Sequence, residues 1–270
     1  MLSCSTLFSG SSGNSIYCKC DSTEILIDCG VSMKRIETAL RGLDTSLGNI
    51  RAIFITHEHS DHVQSLSMIA KHYDIPIYIT PACAVEVYSA ALCKGACKEA
   101  DCLKKNIRTI APQMSYQCGD AVFMPFSTPH DSRDSVGYVI GTEVNEKQLG
   151  IATDIGHVSD EVRAALCGCN KVIIESNHDV EMLRSGPYPE LLKRRILSPN
   201  GHLSNDDCAD FLPVLLSSGC EEFALFHLSR DNNLPSIAEN TAERAFITAG
   251  AKRMRDYRLT VAGRSEVTTL

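Results

Sequence analysis

Three histidines and one aspartate lie close together in the chain, at His57, His59, Asp61 and His62. Imidazole rings and a carboxylate at this density need partners, because a buried ring nitrogen or charge without one is costly. A metal ion would satisfy them. His57 and His59 are two residues apart on an extended backbone and point the same way, whereas Asp61 and His62 can reach a second ion. A solvated, histidine-rich turn is the alternative interpretation.

The elements around this cluster decide where it points. Residues 52–56 are mainly apolar and predict a buried strand that ends at the cluster. Strands are also predicted at 2–7 and 15–20, joined by a loop rich in glycine and serine. That loop is either a hairpin turn or a place where donors approach an anion, so its residues Ser12, Gly13 and Asn14 are candidate phosphate contacts.

The rest of the chain predicts alternating strands and helices. Further strands are expected at 24–27, 77–80, 107–110, 121–128, 136–142, 148–153, 171–174 and 222–226, with a terminal strand or hairpin. Helices are expected at 32–41, 63–73, 81–92, 158–166, 180–184, 188–195, 205–217 and 236–249. The stretch 94–106 has only weak periodicity and favours neither.

The letters HEHSDH, residues 57–62, match the H-x-H-x-D-H signature of the metallo-β-lactamase superfamily. The chain resembles that family over nearly its whole length. The resemblance implies an α/β fold of four layers, an αββα sandwich, in one domain over residues 1–270 and with no inserted cap domain.

The same resemblance implies the remaining metal ligands. Asp154 ends a strand in the family's TD-x-G pattern and is expected to bridge two ions. Asp28 is expected either to support the loop at residues 57–62 without binding metal itself or to cap the next helix. The implied ligand set is His57, His59, Asp61, His62, His130, Asp154 and His227.

Two later segments resemble the nuclease branch of the family, ESNHD (175–179) and GHLSN (201–205). The resemblance makes Glu175 a supporting carboxylate and His178 and His202 contacts of the substrate phosphate, although each histidine taken alone could be structural. Gly201 lies only 26 positions after Glu175, an interval too short for the cap of ribonuclease J-like enzymes. With SGSSGNS (9–15) and HLSRDNN (227–233), which adds Arg230, the chain resembles the small, cap-less WalJ/YycJ group.

This group implies a 5′-to-3′ DNA exonuclease whose nucleophile is a hydroxide bridging two metal ions. Asp61 would then be both ligand and orienting base, with His178 and His202 as further catalytic residues. The two divalent ions are manganese or zinc, with iron also possible. Two alternatives stay open: a hydrolase of thioesters or lactones, and a non-catalytic, metal-bound sensor or interaction protein.

The net charge and the basic residues limit which partners the chain is expected to bind. The formal charge of −7 argues against coating nucleic acid non-specifically but not against a nuclease, for which DNA is favoured over RNA. Basic clusters at 104–108, 193–195 and 252–258 could contact a nucleic-acid backbone or be solvated faces.

The 13 cysteines and the lack of an export signal predict reduced thiols in the cytoplasm, and no apolar run is long enough to cross a membrane. Cys83, Cys93, Cys97 and Cys102 could hold a structural ion, but ordinary thiols are the simpler interpretation.

Overall fold

The structure is a computed structural model that describes residues 2–270. It divides into two compact units. The first holds the described chain up to Pro125 together with Ser132–Val136 and Gly263–Thr269; the second holds Phe126–Asp131, Gly137–Ala262 and Leu270. The single domain expected from the sequence stays a prediction.

The first unit is built on a mixed, seven-stranded sheet. Its strands are β1 Leu2–Phe8, β2 Ser15–Cys20, β3 Thr23–Ile27, β4 Ile50–Phe54, β5 Ile77–Ile79, β6 Ile107–Thr109 and β14 Thr268–Thr269. Their order is β14-β1-β2-β3-β4-β5-β6. β1 to β3 are antiparallel, and β3 to β6 are parallel. The carboxyl ends of β3 and β4 therefore meet at one edge, which brings Asp28 next to the loop that begins at His57.

Five helices belong to this unit: α1 Met33–Arg41, α2 Ser60–Val63, α3 Leu66–His72, α4 Pro81–Cys93 and α5 Cys97–Asn106. The helix expected over 63–73 is interrupted, because both the N–H and the hydroxyl of Ser65 donate to the carbonyl of Cys29. The weakly periodic stretch proves to be α5, which buries Ala100 and Leu103. Leu26, Ile53 and Ile77 on the central strands form the core with Ile36 and Leu66 of the helices.

In the second unit the strands are β9 Val136–Thr142, β10 Asn145–Ala152, β11 Lys171–Glu175, β12 Glu222–Phe226 and β13 Arg258–Val261. β9 and β10 form an antiparallel hairpin, and β10 to β13 are parallel. The parallel strands are almost wholly buried, as their continuous apolar runs predict. Asp154, Glu175 and His227 stand at the carboxyl ends of three neighbouring strands.

The helices of the second unit are α6 Asp160–Leu166, α7 Val180–Ser185, α8 Glu190–Ile196, α9 Asn205–Ser217 and α10 Pro235–Thr248. The two motif loops start helices: Asp179 accepts a hydrogen bond from the N–H of Met182, and Ser204 accepts one from the N–H of Asp207. ESNHD therefore ends in an N-cap, Asp179, and GHLSN contains one, Ser204.

One short strand was not predicted: β7 Tyr116–Cys118 forms an antiparallel pair with β8 Ala121–Ser127. The chain ends in strands, as one of the two alternatives predicted; they do not form a hairpin, because β13 runs parallel to β12 whereas β14 pairs with β1. None of the helices in residues 2–270 is long and apolar enough to cross a membrane.

Candidate metal centre

The loop His57–His62, called the metal loop below, follows β4 in the first unit. His57 and His62 are buried and their rings lie 4.0 Å apart. Nε2 of His57 is 3.1 Å from Nδ1 of His59, and Nε2 of His62 is 3.6 Å from Oδ2 of Asp61. The four side chains predicted to bind metal thus form a compact group.

Asp28 orients this group from the end of β3. Its Oδ1 accepts the N–H of Thr56, and its Oδ2 accepts the hydroxyl of Thr56 at 2.8 Å and Nδ1–H of His62 at 2.7 Å. The Thr56 hydroxyl in turn lies 3.0 Å from Nδ1 of His57. With both Nδ1 atoms engaged, Nε2 is the nitrogen that each ring can offer to a metal.

The glycine-rich loop packs directly against the metal loop. The side-chain amide of Asn14 lies 3.0 Å from Nε2 of His62 and 3.4 Å from Oδ2 of Asp61, and the N–H of Asn14 donates to the carbonyl of Asp61. A Cβ at Gly30 would lie 1.6 Å from that same carbonyl oxygen. Only glycine permits so close an approach.

These contacts bear on the predicted phosphate donors. The N–H of Gly13 donates to the carbonyl of Gly10 at 2.9 Å, so the N–H groups of both Gly13 and Asn14 are used within the protein. Ser12 is the exposed member of the three.

The second unit holds a group of its own: Asp154, Glu175, His202 and His227 each offer a ligand atom within 4.8 Å of the others. Oδ1 of Asp154 is 3.5 Å from Nδ1 of His227 and 3.7 Å from Nδ1 of His202. His227 and Asp154 are buried, whereas the His202 side chain is 18% exposed. His202 is therefore the member of this group most open to a substrate.

Glu175, fully buried at the end of β11, fixes two of these imidazoles. Its Oε1 accepts Nδ1–H of His202 at 2.8 Å and of His227 at 2.9 Å, while its Oε2 accepts the N–H groups of Ile155 and Leu203. Burial alone would raise the pKa of Glu175, but the two histidines outweigh it and lower the pKa to about 2. The pKa of His202 is raised, since Glu175 outweighs the opposing effect of burial.

His130 follows β8 and is also buried. Its Nδ1 lies 3.0 Å from the carbonyl of Gly201, and its Nε2 is 3.9 Å from Oδ1 of Asp154. The neighbouring Asp131 pairs with Arg195 of α8 through two hydrogen bonds.

His178 and Arg230, both predicted to bind phosphate, differ sharply in accessibility. His178 is 1% exposed, and its Nδ1 has no hydrogen-bond partner among the described residues. Burial lowers the pKa of His178 to about 4, so the ring is neutral. Arg230 is exposed.

Three of the candidate residues have left-handed backbone conformations: Asp28 at φ +60°, Asp154 at +54° and His227 at +58°. Each stands where a strand ends and the chain must turn sharply. Such conformations cost a non-glycine residue about 1–3 kcal/mol and cluster at functional sites.

Two residues that orient side chains of the site were not predicted from the sequence. Thr56 connects Asp28 to both buried histidines, and Asn177 donates from its amide to the carbonyl of His227 at 2.9 Å. Asn177 lies inside ESNHD, so the motif was a signal for it; Thr56 carries no signal beyond its place before His57.

The donor set fits a divalent ion. Two imidazole nitrogens bound to one zinc ion at about 2.1 Å in tetrahedral geometry lie roughly 3.4 Å apart, and those of His57 and His59 are 3.1 Å apart. Imidazole and carboxylate donors suit zinc, manganese and iron alike.

A family model described as a β-lactamase superfamily domain matches residues 23–227. The chain is 34% identical to the exodeoxyribonuclease YycJ of Bacillus anthracis, over 87% of this chain and 85% of that protein. It is also 34% identical to the exodeoxyribonuclease WalJ of Streptococcus pneumoniae, over 88% of this chain and 85% of that protein.

Among solved structures, the metallo-β-lactamase fold protein YhfI from Bacillus subtilis matches with a TM-score of 0.71 and 15% identity, over 99% of both chains. At that identity the match shows the fold alone. Together with the two mixed sheets flanked by helices, it confirms the predicted fold class and the lack of a large inserted cap.

Proposed function

The chain belongs to the β-lactamase superfamily and is a metal-dependent hydrolase, and from this premise we propose that it is a 5′-to-3′ exonuclease acting on DNA. The observation that carries the proposal is the 34% identity, over 87% of the chain, to a protein named as an exodeoxyribonuclease. The buried histidine and carboxylate clusters agree with it, because metal ions bound there would stabilise the charge that develops in phosphodiester cleavage.

Two ions are proposed, and the ligands expected from the sequence would hold them: His57, His59, Asp61, His62, His130, Asp154 and His227. Manganese or zinc is proposed, with iron possible. When bound, such ions lower the pKa of water and neutralise charge on phosphoryl oxygens.

The chain's own residues then have separate tasks. Asp61, partly exposed on the metal loop, accepts a hydrogen bond from the attacking water and orients it. Asp28 and Glu175 engage Nδ1 of the imidazoles and so leave Nε2 as the nitrogen that can bind a metal. His202, with Nδ1 bound to Glu175, has Nε2 left to donate to an oxygen of the scissile phosphate.

The remaining phosphate contacts are proposed on accessibility. Ser12 and Arg230 are exposed and can approach a terminal phosphate from solution. His178, Gly13 and Asn14 are buried and make contacts within the protein, so we propose that they support the phosphate-binding residues. We also place the protein in the cytoplasm, since all 13 cysteines are unbridged.

Single-turnover cleavage of end-labelled DNA tests the proposal. Metal-loaded protein should release nucleotides from the 5′ end of a 5′-phosphorylated strand, and His202→Ala should slow this about 100-fold or more with unchanged metal content. His72→Ala replaces an exposed histidine at the end of α3 and should have no effect.

Other outcomes separate the alternatives. Cleavage of RNA but not DNA would reverse the substrate preference. Rapid turnover of a thioester or lactone without nuclease activity would favour a small-molecule hydrolase. A metal-loaded protein that cleaves none of these would favour the sensor interpretation.

A further inference from the structure

Glu58 separates His57 from His59 in the metal loop. Successive side chains of an extended chain point to opposite sides, so the spacing that lets the two imidazoles share one ion turns the side chain of Glu58 away from it. Among residues 2–270, Glu58 accordingly belongs to none of the groups of histidines and carboxylates whose ligand atoms converge on one point. Its side chain is partly buried and has other partners.

Both oxygens of the Glu58 carboxylate are engaged within the first unit. Oε2 accepts the thiol of Cys83, in the first turn of α4, at 2.9 Å, and Oε1 accepts the backbone N–H of Arg133 at 3.0 Å. Cys83 is fully buried, and burial together with Glu58 raises the pKa of its thiol to about 12, so the thiol stays protonated and donates. A charged acceptor makes such hydrogen bonds stronger than those between neutral groups.

The segment 132–136, which supplies the second donor, is itself held in place. The carbonyl of Asp134 accepts the hydroxyl of Thr80, at the start of α4, at 2.9 Å. The N–H of Val136 donates to the carbonyl of Thr56, directly before the metal loop, at 3.0 Å. The metal loop, the start of α4 and this segment are therefore joined by hydrogen bonds, and the carboxylate lies where the three meet.

The two imidazoles on either side of Glu58 depend on the peptide that it carries. Nε2 of His57 and Nδ1 of His59 are 3.1 Å apart, near the roughly 3.4 Å between two nitrogens bound to one zinc ion. Rotation of the intervening peptide would turn the two rings apart. A side chain with both oxygens bound opposes that rotation, so less motion has to be lost when a metal binds.

We propose that Glu58 is a positioning residue of the metal centre: bound by the thiol of Cys83 and the N–H of Arg133, it fixes the directions of His57 and His59 and so raises their affinity for an ion. This inference rests on the metal ions of the proposed function and not on its substrate. Cys83 then serves the metal loop as a hydrogen-bond donor rather than as a ligand of a structural ion.

Substitutions at both ends of one hydrogen bond test the role of Glu58. Glu58→Gln removes the charge of the acceptor, and Cys83→Ala removes the donor. Each should lower the affinity of the protein for zinc about tenfold, measured by competition with a coloured chelator. Cys83→Ser keeps a donor at the same place and should restore most of the affinity.

Two substitutions elsewhere in the first unit are the matched controls. Glu24→Gln changes a carboxylate that is likewise partly buried and accepts the hydroxyl of Thr45. Cys18→Ala removes a buried thiol that donates to Cys4. Both should keep the parent affinity for zinc, even if they lower the thermal midpoint of the metal-free protein as much as the substitutions near the metal loop do. A loss of affinity without a matching difference in stability distinguishes positioning from a general structural role.

Parent affinity in Glu58→Gln or in Cys83→Ala would overturn the inference, and so would equal losses in the controls or no recovery in Cys83→Ser. If Cys83→Ala does not fold, the comparison of Glu58→Gln with Glu24→Gln decides alone.

Zinc binding and DNA cleavage can fail separately. If the zinc affinity falls as expected but the parent protein cleaves no DNA, the role of Glu58 stands and the exonuclease activity does not. Cleavage of DNA together with parent zinc affinity in every variant would have the opposite meaning. A parent protein that takes up no zinc would overturn the role of Glu58 as well as the proposed zinc site.

Discussion

At the scale of single side chains, both units contain the same arrangement. In each, a buried carboxylate orients an imidazole ring by a hydrogen bond to its Nδ1. Asp28 does this for His62 at 2.7 Å, and Glu175 does it for His202 and His227 at 2.8 and 2.9 Å. Each carboxylate also accepts backbone N–H groups. The imidazole rings are thus already oriented before a metal binds, which reduces the conformational entropy lost on metal binding.

Asp28→Asn tests this arrangement, because the substitution keeps the size of the side chain but removes its charge. We expect metal affinity to fall by about 10- to 100-fold, measured by competition with a coloured chelator. Asp44→Asn changes an exposed aspartate that shares the left-handed backbone, at φ +55°, and should leave affinity unchanged. Equal affinities in Asp28→Asn and the parent protein would contradict the role given to Asp28.

His178 gives a prediction about pH. Burial lowers its pKa in the folded protein to about 4, from 6.5 when the ring is exposed. Between these values the unfolded chain takes up a proton that the folded protein refuses, so stability falls as pH drops from about 6.5 to 4 and levels off below. The loss is up to about 3 kcal/mol of unfolding free energy.

The His178→Gln variant lacks this titration. Its urea midpoint should therefore fall less between pH 7 and pH 4.5 than that of the parent protein. His72→Gln, at an exposed position, should follow the parent curve. Parallel curves for His178→Gln and the parent would show that His178 is not held neutral by burial.

At the level of elements, the site depends on loops that approach one another too closely for side chains. A Cβ at Gly30 would lie 1.6 Å from the carbonyl oxygen of Asp61, and one at Gly13 would lie 2.4 Å from the carbonyl oxygen of Gly30. The glycine-rich loop, the turn after β3 and the metal loop are therefore packed backbone against backbone.

Gly30→Ala should displace the metal loop and destabilise the protein by about 1–3 kcal/mol, because backbone rather than a flexible side chain must move. The measurement is the thermal midpoint together with metal content. Gly48→Ala is the control, since a Cβ there would meet only Ser46 Oγ at an ordinary 3.6 Å. Equal midpoints for the two variants would refute the close-packing argument.

How much the sequence predicted differs between elements. The order of strands and helices and the position of Asp28 and His57 at strand ends follow from apolar runs and a local motif. Helix α5 was not predicted from the sequence, because its buried residues, which include Ala100 and Leu103, form only a narrow stripe among charged residues. The hydrogen bonds of Glu175 with His202 and His227, and the contact of Asn14 with His62, join residues far apart in the chain. No local sequence pattern predicts such pairs.

For the whole molecule, the net charge of −7 and the buried carboxylates make bound cations a source of stability. A ligand present at 100 times its dissociation constant adds about 2.7 kcal/mol. For a chain of this size that corresponds to roughly 5–10 °C in the thermal midpoint.

Chelation followed by dialysis should therefore lower the midpoint by that amount, and readdition of manganese or zinc should restore it. Calorimetry at two metal concentrations checks the result, because stabilisation by binding depends on the free ligand. An identical midpoint with and without metal would mean that the clusters bind no ion tightly.

The left-handed turns at Asp28, Asp154 and His227 have a consequence for how this chain can evolve. Glycine or asparagine would suit the backbone at each of these places as well as the present residue does. Variants selected only for solubility should drift toward those two amino acids there, whereas selection for turnover should retain aspartate and histidine. The frequencies in two such libraries would separate what the polypeptide needs in order to fold from what it needs in order to work.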